Sequence, residues 1–326
     1  MPRPLRVGVQ LPEVEYEARW TDLAAMARLA EDIGLDSVWV GDHYLYRHPE
    51  GTRGPWEAFT QLAAIAAVTS RVEIGPLVAS TSFHEPGVLA KMAMTIEEIS
   101  AGRLILGLGA GWNEDEYRAF GFPFDHRVSR FEEAFTIVRT LLREGAIDFE
   151  GRYYTRRDCE LLPRGPRPEG PPLLIGSSGP RMLRITMPHV EQWNAWYTTY
   201  GNRPDGLAEQ RAKVDAACRD VGRDPAEVER TVAAFVELPD AQGLRVFDRH
   251  SAPAIGGAPE EIAAVLRGLA AEGVAHVQLV IDPVTPDGVA ALAPVLEDLP
   301  LHRETDPLAA GGTGTAWRCR ICGHVH

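Results

Sequence analysis

Arg6-Val7-Gly8-Val9-Gln10-Leu11-Pro12-Glu13-Val14 is the stretch whose reading decides the fold. Arg6 to Leu11 reads as a strand, and Pro12, Glu13 and Val14 follow it where a dinucleotide-binding sheet needs glycines opening a helix. A doubly wound open sheet would therefore lack its phosphate-binding turn. Outward from this stretch, Val/Ile/Leu-rich runs predict further strands at Ser37 to Gly41, Glu73 to Ala79, Leu104 to Leu108, Leu173 to Gly176, Val190 to Ala195, Thr231 to Val236 and His276 to Ile281. Helical periodicity fills the intervals at Trp20 to Ile33, Trp56 to Ser70, Gly87 to Ser100, Val128 to Glu144, Pro180 to Met187, Asp205 to Val221 and Pro259 to Glu272. A last helix, Asp287 to Leu296, follows the final strand. Strand and helix alternate throughout, which spells a (β/α)8 TIM barrel over residues 1–300.

Composition narrows the function. The 326 residues are 45% hydrophobic, enough for a large core, and no apolar run approaches the roughly 20 residues of a membrane-spanning helix. Residues Met1 to Arg6 lack the apolar core of a secretory signal, so a cytoplasmic location is expected. A net charge of −13 argues against nucleic acid or anionic membranes as partners and favours a small-molecule substrate. Only Lys91 and Lys213 are lysines, so positive charge is almost all arginine. Cys159 and Cys218 stand alone and are read as structural.

Two segments exceed the βα template. Asp148 to Pro172 reads as an insertion with a hairpin around Phe149 to Tyr153, of the kind that often forms a lid at a barrel mouth. Residues 301–326 form a Gly/Ala-rich linker ending in Cys319-Arg320-Ile321-Cys322-Gly323-His324.

Barrel enzymes carry their chemistry on the loops after the strands. Gly41-Asp42-His43-Tyr44 follows the second strand: an imidazole able to move a proton near neutral pH, with a carboxylate beside it to orient or charge it. A surface pair capping a loop is the plainer alternative. Ser80, Thr81 and Ser82 after the third strand suit a polar heterocycle or an ordinary helix entry. Gly107-Leu108-Gly109-Ala110-Gly111-Trp112 offers small residues where a ligand could approach the backbone. Glu114, Asp115 and Glu116 just beyond are read as serving the dipole of a helix's first turn. Gly176-Ser177-Ser178-Gly179-Pro180-Arg181 suits a phosphate at a helix entrance, or a plain cap. Trp193, Trp196, Tyr197 and Tyr200 suit a planar ligand or core packing.

These residues together resemble the bacterial luciferase-like flavin and deazaflavin oxidoreductases, above all the branch using coenzyme F420. The resemblance covers roughly residues 5 to 298 and rests on Val7 to Pro12, Ala30 to Trp39, Asp42-His43, His84-Glu85-Pro86, Leu89 to Met92, Gly102 to Trp112, Phe149 to Tyr154 and Gly179-Pro180. It implies a luciferase-like barrel with an insertion region, commonly as a homodimer. It further implies that Asp42 and Ser80 contact the cofactor, that His43 is the catalytic acid or base, and that Leu77-Val78 is a cis peptide behind the ring. By the same resemblance Ser178, Gly179, Arg181 and Met182 line the cofactor's phosphate and side chain, and the readings of Gly109, Ala110 and Gly111 and of Ser177 above add these residues to the expected cofactor site. Gln10, Trp112, Trp193 and Trp196 are the expected substrate pocket.

The sequence departs from the glucose-6-phosphate dehydrogenase branch, having Trp112 where an acid follows the Gly-x-Gly pattern and too few lysines for a phosphate-binding pair. A sugar phosphate is therefore not expected. Val190-Glu191-Gln192-Trp193 replaces the common Ala-Asp-Gly-Trp and leaves the substrate unidentified. F420-dependent hydride transfer is the leading expectation. An FMN-dependent monooxygenase, supplied with reduced flavin by a flavin reductase, is the alternative, and a non-catalytic carrier or sensor the third. Cys319 and Cys322 resemble the first knuckle of rubredoxin-like domains but make half a tetrahedral site. His324, His326 or a second tail would have to complete it, so a truncated extension is expected rather than a metal centre.

Overall fold

The computed structural model describes residues 5–49, 51–242 and 252–299, so the tail with Cys319 and Cys322 lies outside the described residues. In chain order the first elements are β1 (Arg6–Gln10), α1 (Trp20–Asp32), β2 (Ser37–Val40), β3 (Tyr46–His48), β4 (Gly51–Arg53), α2 (Ala58–Val68), β5 (Glu73–Pro76) and β6 (Ala79–Ser80). There follow α3 (Pro86–Ile99), β7 (Leu106–Gly109), α4 (Glu114–Phe120), α5 (Arg127–Glu144), β8 (Ala146–Glu150), β9 (Thr155–Glu160), β10 (Leu173–Ile175) and α6 (Pro180–Thr186). The last are β11 (Gln192–Ala195), α7 (Leu207–Asp220), β12 (Glu229–Glu237), α8 (Pro259–Ala271), β13 (Val274–Asp282), α9 (Pro286–Ala290) and α10 (Ala293–Glu297).

Nine parallel strands in the order β5-β2-β1-β13-β12-β11-β10-β7-β6 form one sheet. It closes on itself because Ile74 of β5 bridges Leu104, with Ile74 N donating to Arg103 O at 3.0 Å and Ile105 N to Ile74 O at 2.8 Å. The expected third strand is thus one stave in two pieces: β5 pairs with β2, β6 pairs with β7, and the cis Leu77–Val78 peptide lies between them. Counting that stave once gives the eight of the expected barrel.

The helices cover the barrel with an apolar face each, as their periodicity demands. Leu23, Met26 and Ala27 of α1 and Leu62 and Ile65 of α2 are fully buried against the sheet. Each such leucine or isoleucine contributes about 1.5–3 kcal/mol. The barrel interior also carries polar side chains bonded to one another: Ser37 Oγ joins His276 Nε2 at 2.7 Å and accepts from Trp39 Nε1 at 2.7 Å. Gly8 leaves the space, since a Cβ there would fall 1.9 Å from Ser37 Oγ.

The hairpin expected in the insertion is β8–β9, with its turn at residues 151–154. Its position corrects the expected lid. Glu133, near the start of α5, accepts from the backbone N–H groups of Arg152, Tyr153 and Tyr154, so the turn is fastened to the outside of that helix. No residue of the insertion lines the cavity described below. Among the described residues no helix is long and apolar enough to cross a membrane.

Candidate active site

A cavity of about 690 Å³ opens at the carboxyl ends of the barrel strands. That size falls in the range of cofactor and ligand sites. Gln10 leaves β1, and Asp42 and His43 follow β2. Leu77, Val78 and Ser80 come from the broken stave, Gly109, Ala110, Gly111 and Trp112 from the end of β7, Ser177 from beyond β10, and Trp196 from beyond β11. Sequence reading brought all of these forward, and the fold gathers them round one space.

His43 does not take its orientation from its neighbour in sequence. Its Nδ1 lies 2.9 Å from Glu116 Oε2, in the first turn of α4, while Glu116 Oε1 accepts from the backbone N–H of Tyr44 at 2.6 Å and of Leu45 at 3.1 Å. Glu116 is fully buried. The helix-dipole reading of this residue is therefore overturned: its carboxylate clamps the loop that carries the imidazole, whereas Asp115 pairs with Arg118 at the surface. Burial opposes a charged His43. The hydrogen bond His43 donates to Glu116 and the negative charges of Glu13, Glu116 and Asp42 outweigh it and raise the imidazole above its ordinary value. With Nδ1 engaged, Nε2 is the nitrogen left for proton exchange. The ring is flanked by Tyr46 at 4.7 Å and Trp112 at 5.7 Å between centroids.

Asp42 has a different task from the one adjacency suggests. Its Oδ2 accepts from Ser80 N and contacts His84 Nε2, each at 2.8 Å, tying the loop after β2 to the broken stave. Asp42 is 1% exposed and its Oδ1 has no partner. Gln10 repeats the pattern: Nε2 donates to Glu13 Oε1 at 2.7 Å, and Oε1 has no partner. Buried polar groups are rarely left so. Both residues line the cavity, so the orphaned acceptors fit a bound group bearing N–H or O–H donors.

The glycines that line the cavity also make room for the residues behind them. A Cβ at Gly107 or Gly109 would meet a Val78 methyl at 2.9 Å, and one at Gly176 would meet both Val78 methyls at 3.1 Å. They form the seat that holds Val78 at the cavity floor. Gly111, with φ of +73°, makes room for Ser80 and for the Tyr117 hydroxyl, which donates to Ala110 O at 2.8 Å.

The remaining expected residues are not brought to the cavity. Trp193 is buried behind it and donates from Nε1 to Ser177 O at 2.8 Å, so it supports the wall rather than forming it. Met182 is a core residue of α6. Arg181 is exposed and paired with Glu132 at 2.6 Å. Ser178 and Gly179 lie at the entrance to α6, outside the lining. Sequence reading missed Glu13, Glu15, Tyr46 and His48, which line the side nearest His43. The one available signal was Pro12-Glu13-Val14 itself, used above only to exclude a dinucleotide turn.

Comparison with known proteins agrees with this architecture. An F420-dependent glucose-6-phosphate dehydrogenase of Amycolatopsis mediterranei is 37% identical over 181 residues, 54% of this chain and 53% of that one. Pyrimidine monooxygenase RutA of Cronobacter sakazakii is 35% identical over 175 residues, 52% and 50% of the two chains. The chain thus spans about half the length of the curated relatives it matches. An F420-dependent secondary alcohol dehydrogenase solved with an F420-acetone adduct superposes with a TM-score of 0.76 at 19% identity, covering 90% of this chain and 99% of that chain, which shows the shared fold. The model of the luciferase-like monooxygenases matches residues 6–242, and the chain belongs to that family.

Proposed function

We propose that this protein is an oxidoreductase that moves a hydride between coenzyme F420 and a small organic substrate. The observation that carries the reading is the juxtaposition, in one cavity, of the orphaned Asp42 Oδ1 with a His43 oriented by a buried carboxylate. Bound F420 supplies the ring carbon that gives or takes the hydride. Leu77, Val78 and Ser80 would back its ring, Asp42 Oδ1 would accept from one of its donors, and Ser177, with Ser178 and Gly179 at the entrance to α6, would meet its phosphate. His43 Nε2 holds the proton gained or lost by the substrate heteroatom, and Glu116 fixes the ring for that exchange. Trp112 and Trp196 line the space beside it. The relatives that use F420 support this reading, and a homodimer in the cytoplasm accompanies it.

The match to a pyrimidine monooxygenase supports a second reading, in which FMN occupies the same cavity, oxygen is consumed and a flavin reductase supplies the reduced cofactor. Absorption difference spectra on adding F420 or FMN separate the two. A perturbed F420 spectrum with oxygen-independent turnover is expected; a response to FMN alone with oxygen uptake would replace this reading by the second. His43→Ala should lower turnover about 10²- to 10⁴-fold while changing the F420 dissociation constant less than about threefold. Unchanged turnover would remove His43 from the mechanism.

A further inference from the structure

Trp112 is held in place without being buried. On one side of it Gly111 O accepts from Arg127 Nη1 at 2.7 Å, and on the other Asn113 Nδ2 donates to Leu45 O at 3.0 Å. The chain is thus pinned before and after the residue, while the indole stays 64% exposed and lines the cavity. Single exposed apolar side chains are ordinary on a protein surface, but a fixed indole on a cavity wall is not accounted for by core packing.

Other rings stand beside it. His43 lies 5.7 Å from Trp112 between centroids, at 68°, and Tyr46 lies 6.3 Å away, at 51°. Tyr46 is fixed through its hydroxyl, which donates to Glu13 Oε2 at 2.9 Å. Trp196 lines the same space, and its carbonyl accepts from Thr199 N at 2.8 Å and from Thr199 Oγ1 at 2.7 Å. Two rings clasp a third only when they are parallel and about 7 Å apart. Tyr46 and Trp112 are too close and too steeply inclined for that, so the surface on offer is the open side of the indole, next to His43.

We propose that the substrate presents a flat aromatic ring that stacks on Trp112, with its reacting carbon attached to that ring on the side of His43. The inference rests on reading this cavity as the site of hydride transfer. It is tested on the full chain, with F420 added and without it, by calorimetric titration with 2-naphthylmethanol and with its saturated counterpart, decahydro-2-naphthylmethanol. The two share a carbon skeleton and a hydroxyl, so contacts of the hydroxyl cancel, and the saturated alcohol is the more apolar, so burial alone would favour it. The aromatic alcohol should bind about 3- to 10-fold more tightly. Trp112→Leu, at a position largely exposed and so dispensable for folding, should bring the two within about 2-fold, whereas Trp112→Phe, which keeps a smaller ring, should retain part of the preference. Equal binding of the two, tighter binding of the saturated alcohol, no binding of either, or a preference that survives Trp112→Leu would overturn the proposal. A preference that depends on Trp112 without F420 binding would retain it and remove the cofactor assignment, whereas F420 binding without the preference would do the reverse.

Discussion

Glu116 reaches across 73 residues to meet His43, and the consequence is a pH dependence with a definite sign. His43 is raised above its ordinary value, so its protonated form persists above about 6.5 and is lost as pH rises through the raised value. The stability contributed by the His43–Glu116 pair follows the same course, full below the unfolded-state value and lost above the folded one. Glu116→Gln removes both the charge and the charged hydrogen bond that raise the imidazole. The limb of the pH–kcat profile that reports His43 should therefore move toward acid, whether His43 acts as acid or base. A profile that stays in place would show that another group governs it. The sequence could not reveal this partner. Glu114, Asp115 and Glu116 are three acids in one helical turn, alike to any local reading, and only the docking of α4 on the loop after β2 buries the third and leaves the other two outside. Asp42 and His43 were legible because they stand at a strand end, but adjacency suggested the wrong pairing: consecutive side chains at such a turn point to different neighbours.

Helices and strands were legible where periodicity is long and both faces are distinct, as in α1, α3 and α8. The short β3–β4 hairpin and α4 were not, because three to seven residues hold too little pattern to read. The junction between elements was equally hidden, as Glu31 shows. From the end of α1 its carboxylate accepts from the backbone N–H groups of Ser70, Arg71 and Val72 and from the Ser70 hydroxyl, fastening the turn that leads into β5. Partial burial would raise its pKa, but these hydrogen bonds prevail and hold it at about 2. A depressed carboxylate contributes stability above its unfolded value and loses it as pH falls through the folded one. Glu31→Gln should therefore cost about 1–2 kcal/mol at neutral pH by urea denaturation, and the gap from the parent protein should close between about pH 4.5 and 2. A constant gap across that range would show that the carboxylate charge is not the fastening.

At the scale of the molecule, the insertion is a strap across the closing seam. Arg167 forms a two-pronged ion pair with Glu97 of α3 and also donates to Leu104 O, next to the bridge that shuts the barrel. Glu97 is fully buried, so removing its partner strands a carboxylate away from water. Arg167→Leu should destabilise the protein by about 3–5 kcal/mol, and the double change with Glu97→Leu should recover much of that loss. Equal stabilities of parent and single variant would show that the strap carries no part of the closure. The prolines and arginines of this segment announced an excursion from the barrel, but not which end or side it would cover.

Trp112 gives the molecule one more property. Its indole is largely open to solvent yet stands 5.7 Å from the imidazole of His43, so the doorway carries a native fluorophore. Anything that passes it changes the polarity around an emitter, and a bound chromophore within range quenches it by energy transfer. Arrival and departure can thus be followed optically on the unlabelled protein, the difference from Trp112→Phe isolating this indole's share from that of the other six tryptophans.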